Sequence, residues 1–100
     1  MKYFVSYTTR DNEVTIDLLQ TFSKRLGKFG KVFIDIINNN SKDKQKRVFD
    51  ELDNSDMIVL IESSYVYQSE WVAIEIERAK LKQIPIKQLS IKQLNKFSGF

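Results

Sequence analysis

The segment SEWVAIEIERA, from Ser69 to Ala79, places Trp71 and Glu75 four residues apart. At 3.6 residues per turn, both side chains lie on one face of a helix, one turn apart. A carboxylate beside an indole is partly desolvated, which raises its pKa and strengthens its bonds to sugar hydroxyls. Spacing alone nevertheless favours an ordinary interpretation, in which Glu75 forms a solvated ion pair with Arg78 while Trp71 packs.

The composition excludes several kinds of chemistry, because the chain contains no Cys and no His. Disulfides and thiol nucleophiles are therefore excluded, and so are Ser-His and Cys-His catalysis. The usual ligand sets for zinc, haem and iron–sulfur clusters are also missing, so we expect no metal site and no resident cofactor. Any enzymatic chemistry must use carboxylates, hydroxyls, Lys or Arg.

A second group of candidate residues follows the first apolar run of the chain. Ser6, Tyr7 and Arg10 come just before a helical pattern, where backbone amides favour an anion and Arg10 could clamp a diphosphate. The alternative is an ordinary turn that caps the helix, and local features favour it. The segment has no Gly-rich signature of a dinucleotide fold or a P-loop.

Asp35 follows the second apolar run and either faces a binding crevice or accepts hydrogen bonds from the turn Asn38–Asn40. Asn tolerates left-handed conformations, which suits a mobile loop. The basic run after it, Lys42 to Arg47, is typical of a solvated helix face. We expect no nucleic-acid partner, because no aromatic residues alternate with these charges and the net charge is only +3.

Alternating strand and helix patterns must position these residues. Apolar runs predict strands at Lys2–Tyr7, Lys31–Ile36, Asp56–Glu62 and Ile84–Ile86. Helical spacing predicts helices over about 11–29, 41–53 and 69–82, with a last turn or two in SIKQLNKF. Asp11 or Asn12 is expected to cap the first helix, Gly27 and Gly30 to end it, and Ser69 to cap the third.

The strand cores are continuously apolar and are separated by helices, which is typical of a covered parallel sheet. We therefore predict an α/β fold: a small flavodoxin-like, doubly wound parallel sheet of four, or at most five, strands with helices on both faces, forming a single domain over residues 1–100. Ligands of such folds bind beyond the carboxyl ends of the strands. No apolar run approaches the ~20 residues of a membrane helix, so we expect a cytoplasmic protein without a membrane partner.

Read together, these segments resemble a TIR domain. The matching stretches are FVSYTTRD, VFID, SDMIVLIESSYVYQSEWVAIEIERA and IPI, and their order and spacing across Lys2 to Ile86 are more specific than any one of them. The resemblance implies cleavage of NAD, as a substrate, at the nicotinamide–ribose bond. It also implies that Glu75 is the catalytic residue and Trp71 its aromatic neighbour, which reverses the preference for a solvated ion pair.

The resemblance assigns further roles in substrate binding. It implies that Tyr7 and Arg10 line the nicotinamide and phosphate side, and that Asp35 and Ser63 shape the floor of the site. Ser6 and Trp71 are expected among the substrate-binding residues as well. It also implies self-association through the loop Ile37–Lys44, and a signal nucleotide made for a separate effector protein, as in bacterial antiviral defence. The sequence departs from the family in its short end after Ile86 and in a loop without Gly or Pro.

Three alternatives stay open. A TIR module that acts by self-association alone would assemble without consuming NAD. An enzyme similar to nucleoside deoxyribosyltransferases would exchange bases on a deoxynucleoside, although that family usually has a Gly-rich segment where this chain has YVYQSEW. The fold would also allow a regulator that binds a nucleotide without catalysis.

Overall fold

Helices follow each strand of the chain in the computed structural model, which describes residues 1–10 and 12–100. The elements are β1 Lys2–Ser6, α1 Ile16–Leu26, β2 Lys31–Phe33, α2 Asp35–Asn38, α3 Lys44–Asp53, β3 Met57–Glu62, α4 Glu70–Leu81, β4 Ile86–Ser90 and α5 Ile91–Asn95. A short 3-10 helix, Val66–Gln68, precedes α4.

The four strands form one parallel sheet in the order β2-β1-β3-β4. One face carries a core to which α1 contributes Leu19 and Phe22, and α5 contributes Leu94. The opposite face packs against Leu52 of α3 and Ala79 of α4. Helices therefore cover both faces, and the predicted flavodoxin-like, doubly wound α/β fold with four strands is confirmed.

The two central strands explain why their sequences lack alternation. Every residue from Ile58 to Ile61 in β3 is buried, as are the last four residues of β1. Successive side chains of a strand point to opposite faces, so a strand covered on both sides must be apolar throughout. These two strands form where the sequence predicts them.

The predicted fourth strand, Ile84–Ile86, is wrong in its position. The strand begins at Ile86 and continues to Ser90, so two of the three predicted residues, Ile84 and Pro85, precede it. Pro85 has no N–H to donate to a ladder, and only its carbonyl takes part, accepting from the Ile58 N–H at 2.9 Å. Lys87 and Gln88 are exposed because β4 lies at the edge of the sheet, so its sequence lacks the apolar run of a central strand.

The second strand is also shorter than predicted, because it stops at Phe33 and the chain turns. The Asn38 side chain accepts from the Ile34 N–H at 2.8 Å, and the Ile34 carbonyl accepts from the Asn38 N–H at 2.8 Å. These local bonds replace the sheet ladder. Asp35 therefore begins α2 instead of ending the strand.

Side-chain caps precede α1, α3 and α4, and the cap of α4 was predicted correctly. Ser69 caps α4, its hydroxyl accepting from the Val72 N–H at 3.2 Å. The start of α1 is later than predicted, because Thr15 provides the cap and Asn12 lies in a turn before it; Asp11 lies outside the described residues. Asp43 likewise caps α3, which begins three residues after the predicted Ser41.

Gly27 caps the C-terminal end of α1, as predicted. Among the described residues, no helix is long and apolar enough to cross a membrane.

Candidate active site

Glu75 is an ionisable residue buried inside the molecule. It lies in α4, only 4% of its surface is exposed, and the Ser6 hydroxyl donates a 2.8 Å hydrogen bond to its Oε1. Ser6 is the last residue of β1 and is fully buried. The parallel topology thus joins two residues that are 69 positions apart, at the carboxyl edge of the sheet.

A cavity of about 200 Å³ opens at this edge, and Glu75 is part of its wall. Its other lining residues are Val5, Tyr7, Thr8, Thr9, Asp35, Ser69 and Trp71. Three larger cavities, of about 430, 550 and 410 Å³, lie elsewhere on the described surface. None of the three is lined by a buried carboxylate, so the smaller cavity is the better candidate for a reactive site.

The environment of Glu75 favours its neutral form. Burial raises the pKa of Glu75 to about 7, the Ser6 hydrogen bond opposes this rise, and the negative charge of Asp35 adds to it. None of the ion pairs between described residues includes Glu75. A ligand cation in the cavity would therefore meet a carboxylate that has no protein counter-ion.

The alternative ion pair between Glu75 and Arg78 is wrong. Arg78 forms two 2.7 Å hydrogen bonds with the carboxylate of Asp53, one from Nε and one from an amino nitrogen. Its guanidinium also lies over the ring of Phe49, at 4.5 Å from the centroid. Arg78 thus serves the contact between α3 and α4 and is not available to Glu75.

Tyr7 forms the wall of the cavity beside the two carboxylates. Its hydroxyl oxygen accepts from the Ile36 N–H at 3.0 Å, which ties the end of β1 to the start of α2. Burial raises the pKa of Tyr7 to about 12, the bond from Ile36 opposes this, and the charges of Asp35 and Glu75 add to it. The phenol therefore keeps its proton at neutral pH.

The side chain of Asn39 holds Asp35 at the cavity. The Asn39 amide donates to Asp35 Oδ1 at 2.7 Å and to the Lys44 carbonyl at 3.0 Å. The Asn residues of this turn do not use the left-handed conformations that Asn tolerates, because Gln83 is the one non-Gly residue with positive φ in the described chain. The segment uses hydrogen bonds from its Asn side chains instead.

Trp71 connects the cavity to the helical layer. It is half-buried, it lines the cavity with Glu75, and its ring centroid lies 5.6 Å from that of Phe49 in α3. Helical spacing therefore placed Trp71 and Glu75 at one site, as the sequence indicated. Their roles in binding and catalysis stay predictions.

The other predicted site residues lie in different positions. Arg10 donates to the Gln68 carbonyl at 3.3 Å and is not among the residues that line the cavity. Ser63 is buried, its hydroxyl has no hydrogen-bond partner among the described residues, and it does not line the cavity either. Ser6 donates to Glu75 and is not among the residues that line the cavity.

Sequence reasoning missed several residues of the site. Thr8 and Thr9 line the cavity, and their place between Tyr7 and Arg10 in the first carboxyl-edge loop is a signal that could have found them. Ser69 was assigned only to a helix cap, yet a cap at this edge of the sheet also faces the site. The bond from Asn39 to Asp35 agrees with the sequence, which offered hydrogen bonds from the turn Asn38–Asn40 as one interpretation of Asp35, whereas the bond from Asn39 to the Lys44 carbonyl was not predicted.

A flavodoxin-like sheet with a buried helical carboxylate at its carboxyl edge, four residues after a Trp, defines a TIR-like domain. A comparison with protein-family models makes this specific: residues 4–96 match the family described as Thoeris protein ThsB, TIR-like domain. The chain belongs to this family, and the TIR resemblance in the sequence is confirmed. It is thus a TIR-like domain of the antiviral-defence type. A search among curated proteins finds no significant match.

Proposed function

We propose that this chain cleaves NAD at the bond between nicotinamide and ribose, with Glu75 as the catalytic residue. One observation carries the proposal: a buried carboxylate faces a cavity at the carboxyl edge of the sheet, with a hydrogen bond from Ser6 and no cation beside it among the described residues. Buried charges in proteins are usually paired. An unpaired one suits a ligand that brings the positive charge.

The reaction needs stabilisation of charge more than proton transfer. When the C1′–N bond breaks, its electron pair goes to the nicotinamide ring, which leaves as a neutral molecule. The ribose then carries positive charge in an oxocarbenium-like transition state, and the Glu75 carboxylate stabilises that charge. Ser6 keeps the carboxylate in one orientation before substrate arrives, so little reorganisation is needed.

The size and lining of the cavity support one end of the dinucleotide as the ligand. About 200 Å³ is less than the ~300–1,000 Å³ of pockets that enclose a whole drug-sized ligand. It suits the nicotinamide ring and its ribose, with the adenosine end outside. Trp71 and Tyr7 supply aromatic rings to the cationic nicotinamide ring, an arrangement that stabilises cations.

The further steps follow from the same proposal. Attack of water on the ribose gives ADP-ribose, while attack of a nucleophile of the same nucleotide gives a cyclic product. The product would act on a separate effector protein, and the chain would work as one cytoplasmic domain over residues 1–100. Self-association would use Ile37–Lys44, a segment that contains the end of α2 and the cap of α3.

The first test measures nicotinamide release from NAD by chromatography, using purified protein at high concentration. We expect Glu75→Gln, which keeps the shape and the acceptor for Ser6, to lower the rate at least about 100-fold. Glu77→Gln is the matched control, since Glu77 is an exposed carboxylate two residues along the same helix. Unchanged turnover in Glu75→Gln would disprove the role of Glu75.

Two further outcomes would replace the proposal. Base exchange on a deoxynucleoside without loss of NAD would support a transferase. Concentration-dependent assembly without turnover, both in dilute and in crowded solution, would support a module that acts by self-association alone.

A further inference from the structure

Asn39 is a buried polar residue whose side chain is fully engaged. Only 7% of its surface is exposed. Its amide nitrogen donates to Asp35 Oδ1 and to the Lys44 carbonyl, and its amide oxygen accepts from the Ser41 N–H at 3.1 Å. One side chain therefore joins the first residue of α2 to the first residue of α3.

These bonds matter to the site because Asp35 lines the cavity with Glu75. Asp35 is the residue whose negative charge acts on Glu75 through space, and it acts on Tyr7 in the same direction. Such an effect depends on distance, so it depends on what holds the Asp35 carboxylate in place. Asn39 is the side chain that does so, through a 2.7 Å bond.

We propose that Asn39 is a positioning residue for the active site: its amide fixes Asp35 in the cavity wall, and Asp35 in turn sets the electrostatic environment of Glu75. The meaning of this arrangement for catalysis rests on the proposed function, but the arrangement itself does not. Among the described residues, Asp35 of α2 and Tyr7, just after β1, are the titratable groups that face Glu75. Arg78, on α4 itself, is occupied by Asp53.

The test is a titration of the Glu75 carboxyl by NMR, with ¹³C-labelled glutamate and the signal assigned from Glu75→Gln. In Asn39→Ala the Asp35 carboxylate is no longer fixed beside Glu75. We expect the titration midpoint of Glu75 to fall by roughly 0.5 to 1 pH unit. Asp35→Asn, which removes the charge but keeps the shape, should lower it at least as much.

A double variant distinguishes an effect of Asn39 that acts through Asp35 from a general loss of packing around the site. If Asn39 acts through Asp35, then Asn39→Ala produces no additional shift in an Asp35→Asn background. Asn40→Ala is the matched control, because Asn40 is the exposed neighbour of Asn39. Asn39→Ser, which is smaller but keeps a hydroxyl, replaces Asn39→Ala if the latter does not fold.

An unchanged midpoint in the folded Asn39 variants would overturn the proposal. An equal shift in Asn40→Ala, or a full shift in the Asp35→Asn background, would overturn it as well. This readout needs no substrate, so it distinguishes a wrong role for Asn39 from a wrong proposed function. If NAD is cleaved, the midpoint of the acid side of the kcat/KM profile moves with the NMR midpoint.

Discussion

At the scale of single residues, the site depends on Glu75, whose ionised form the protein stabilises only in part. The Ser6 hydroxyl provides one hydrogen bond to Glu75, whereas burial and the charge of Asp35 both act against ionisation. The balance places the titration of Glu75 near neutral pH. A small change in the surroundings of Glu75 therefore changes how much of the protein carries the charge.

This balance predicts the pH dependence of the proposed reaction. The ionised form of Glu75 is the one that stabilises positive charge, so kcat/KM for NAD falls as pH decreases through about 7, the pKa of Glu75 in the free protein. Bound NAD places a cationic ring beside the carboxylate and lowers its pKa, so kcat falls only at lower pH. Initial rates measured from pH 5 to 9 test both statements, and a flat kcat/KM profile across pH 7 would contradict them.

The residue scale also shows what a single sequence can and cannot supply. Helical spacing correctly predicted that Trp71 and Glu75 share one helix face, because the relation between residues one turn apart depends only on local structure. The predicted ion pair between Glu75 and Arg78 was wrong. The actual partner of Arg78 is Asp53, which lies 25 positions away, and their contact depends on how α3 packs on α4. The Ser6 bond to Glu75 depends on a tertiary contact in the same way, whereas the Asn39 bond to Asp35 spans four positions and was one of the sequence-based interpretations.

At the scale of elements, α3 and α4 are held together next to the site. Arg78 joins them through its paired bonds to Asp53, and Lys82 adds a second contact to Asp53 at 3.6 Å. Phe49 of α3 lies under the guanidinium of Arg78 and against the ring of Trp71. The packing of the two helices therefore also supports one wall of the cavity.

We expect Asp53→Asn to lower the melting temperature by a few degrees at pH 7. The hydrogen bond from Arg78 holds the pKa of Asp53 below its usual value. An acid with a lowered folded-state pKa stabilises the fold above its unfolded pKa, about 4, and loses that effect as pH falls through the folded value. Asp50→Asn is the control, since the Asp50 contact with Lys46 is 3.8 Å and exposed. Equal melting of Asp53→Asn and the parent protein at pH 7 would contradict the prediction.

Elements with strong local signals were predictable. The N-terminal cap of α4 and the buried runs of β1 and β3 carry such signals within a few residues. β4 was misplaced because it is an edge strand in which Lys87 and Gln88, on opposite faces, are both exposed, so its sequence has neither an apolar run nor a clear alternation. α2 was missed because the turn after Ile34 depends on one Asn side chain, and a four-residue helix has no detectable period.

At the scale of the whole molecule, a buried carboxylate opposes folding when it is ionised. The pKa of Glu75 changes from 4.5 to about 7 on folding, a difference of about 2.5. At about 1.36 kcal/mol for each unit of pKa, ionised Glu75 costs on the order of 3 kcal/mol of folding free energy. For a chain of 100 residues this is a large fraction of the usual stability.

The sign of this linkage gives a test by thermal melting. Because the folded-state pKa of this acid is raised, the destabilisation is absent below pH 4.5, develops as pH rises to about 7, and is complete above it. We therefore expect Glu75→Gln to melt several degrees above the parent protein at pH 8, with the gap closing towards pH 5. A gap that stays constant between these pH values would show that the charge of Glu75 is not the cause.

The overall architecture was predictable because it depends on the chain as a whole. Uninterrupted apolar strands separated by helices allow few arrangements other than a covered parallel sheet. The sheet in turn fixed which loops meet at its carboxyl edge, and this explains why Tyr7, Asp35 and Glu75 were found in advance. The exact lining of the cavity was not predictable. Arg10 follows β1 and Ser63 follows β3, as Tyr7 and Glu75 do, yet neither is among the residues that line the cavity.

The position of Trp71 has a practical consequence. It is the only Trp in the chain, and its indole forms part of the cavity wall. Selective excitation of indole therefore reports on one place in the molecule, without background from elsewhere and without a dye. A change in Trp fluorescence on addition of a candidate ligand therefore tests whether that ligand enters the cavity, without any need for turnover.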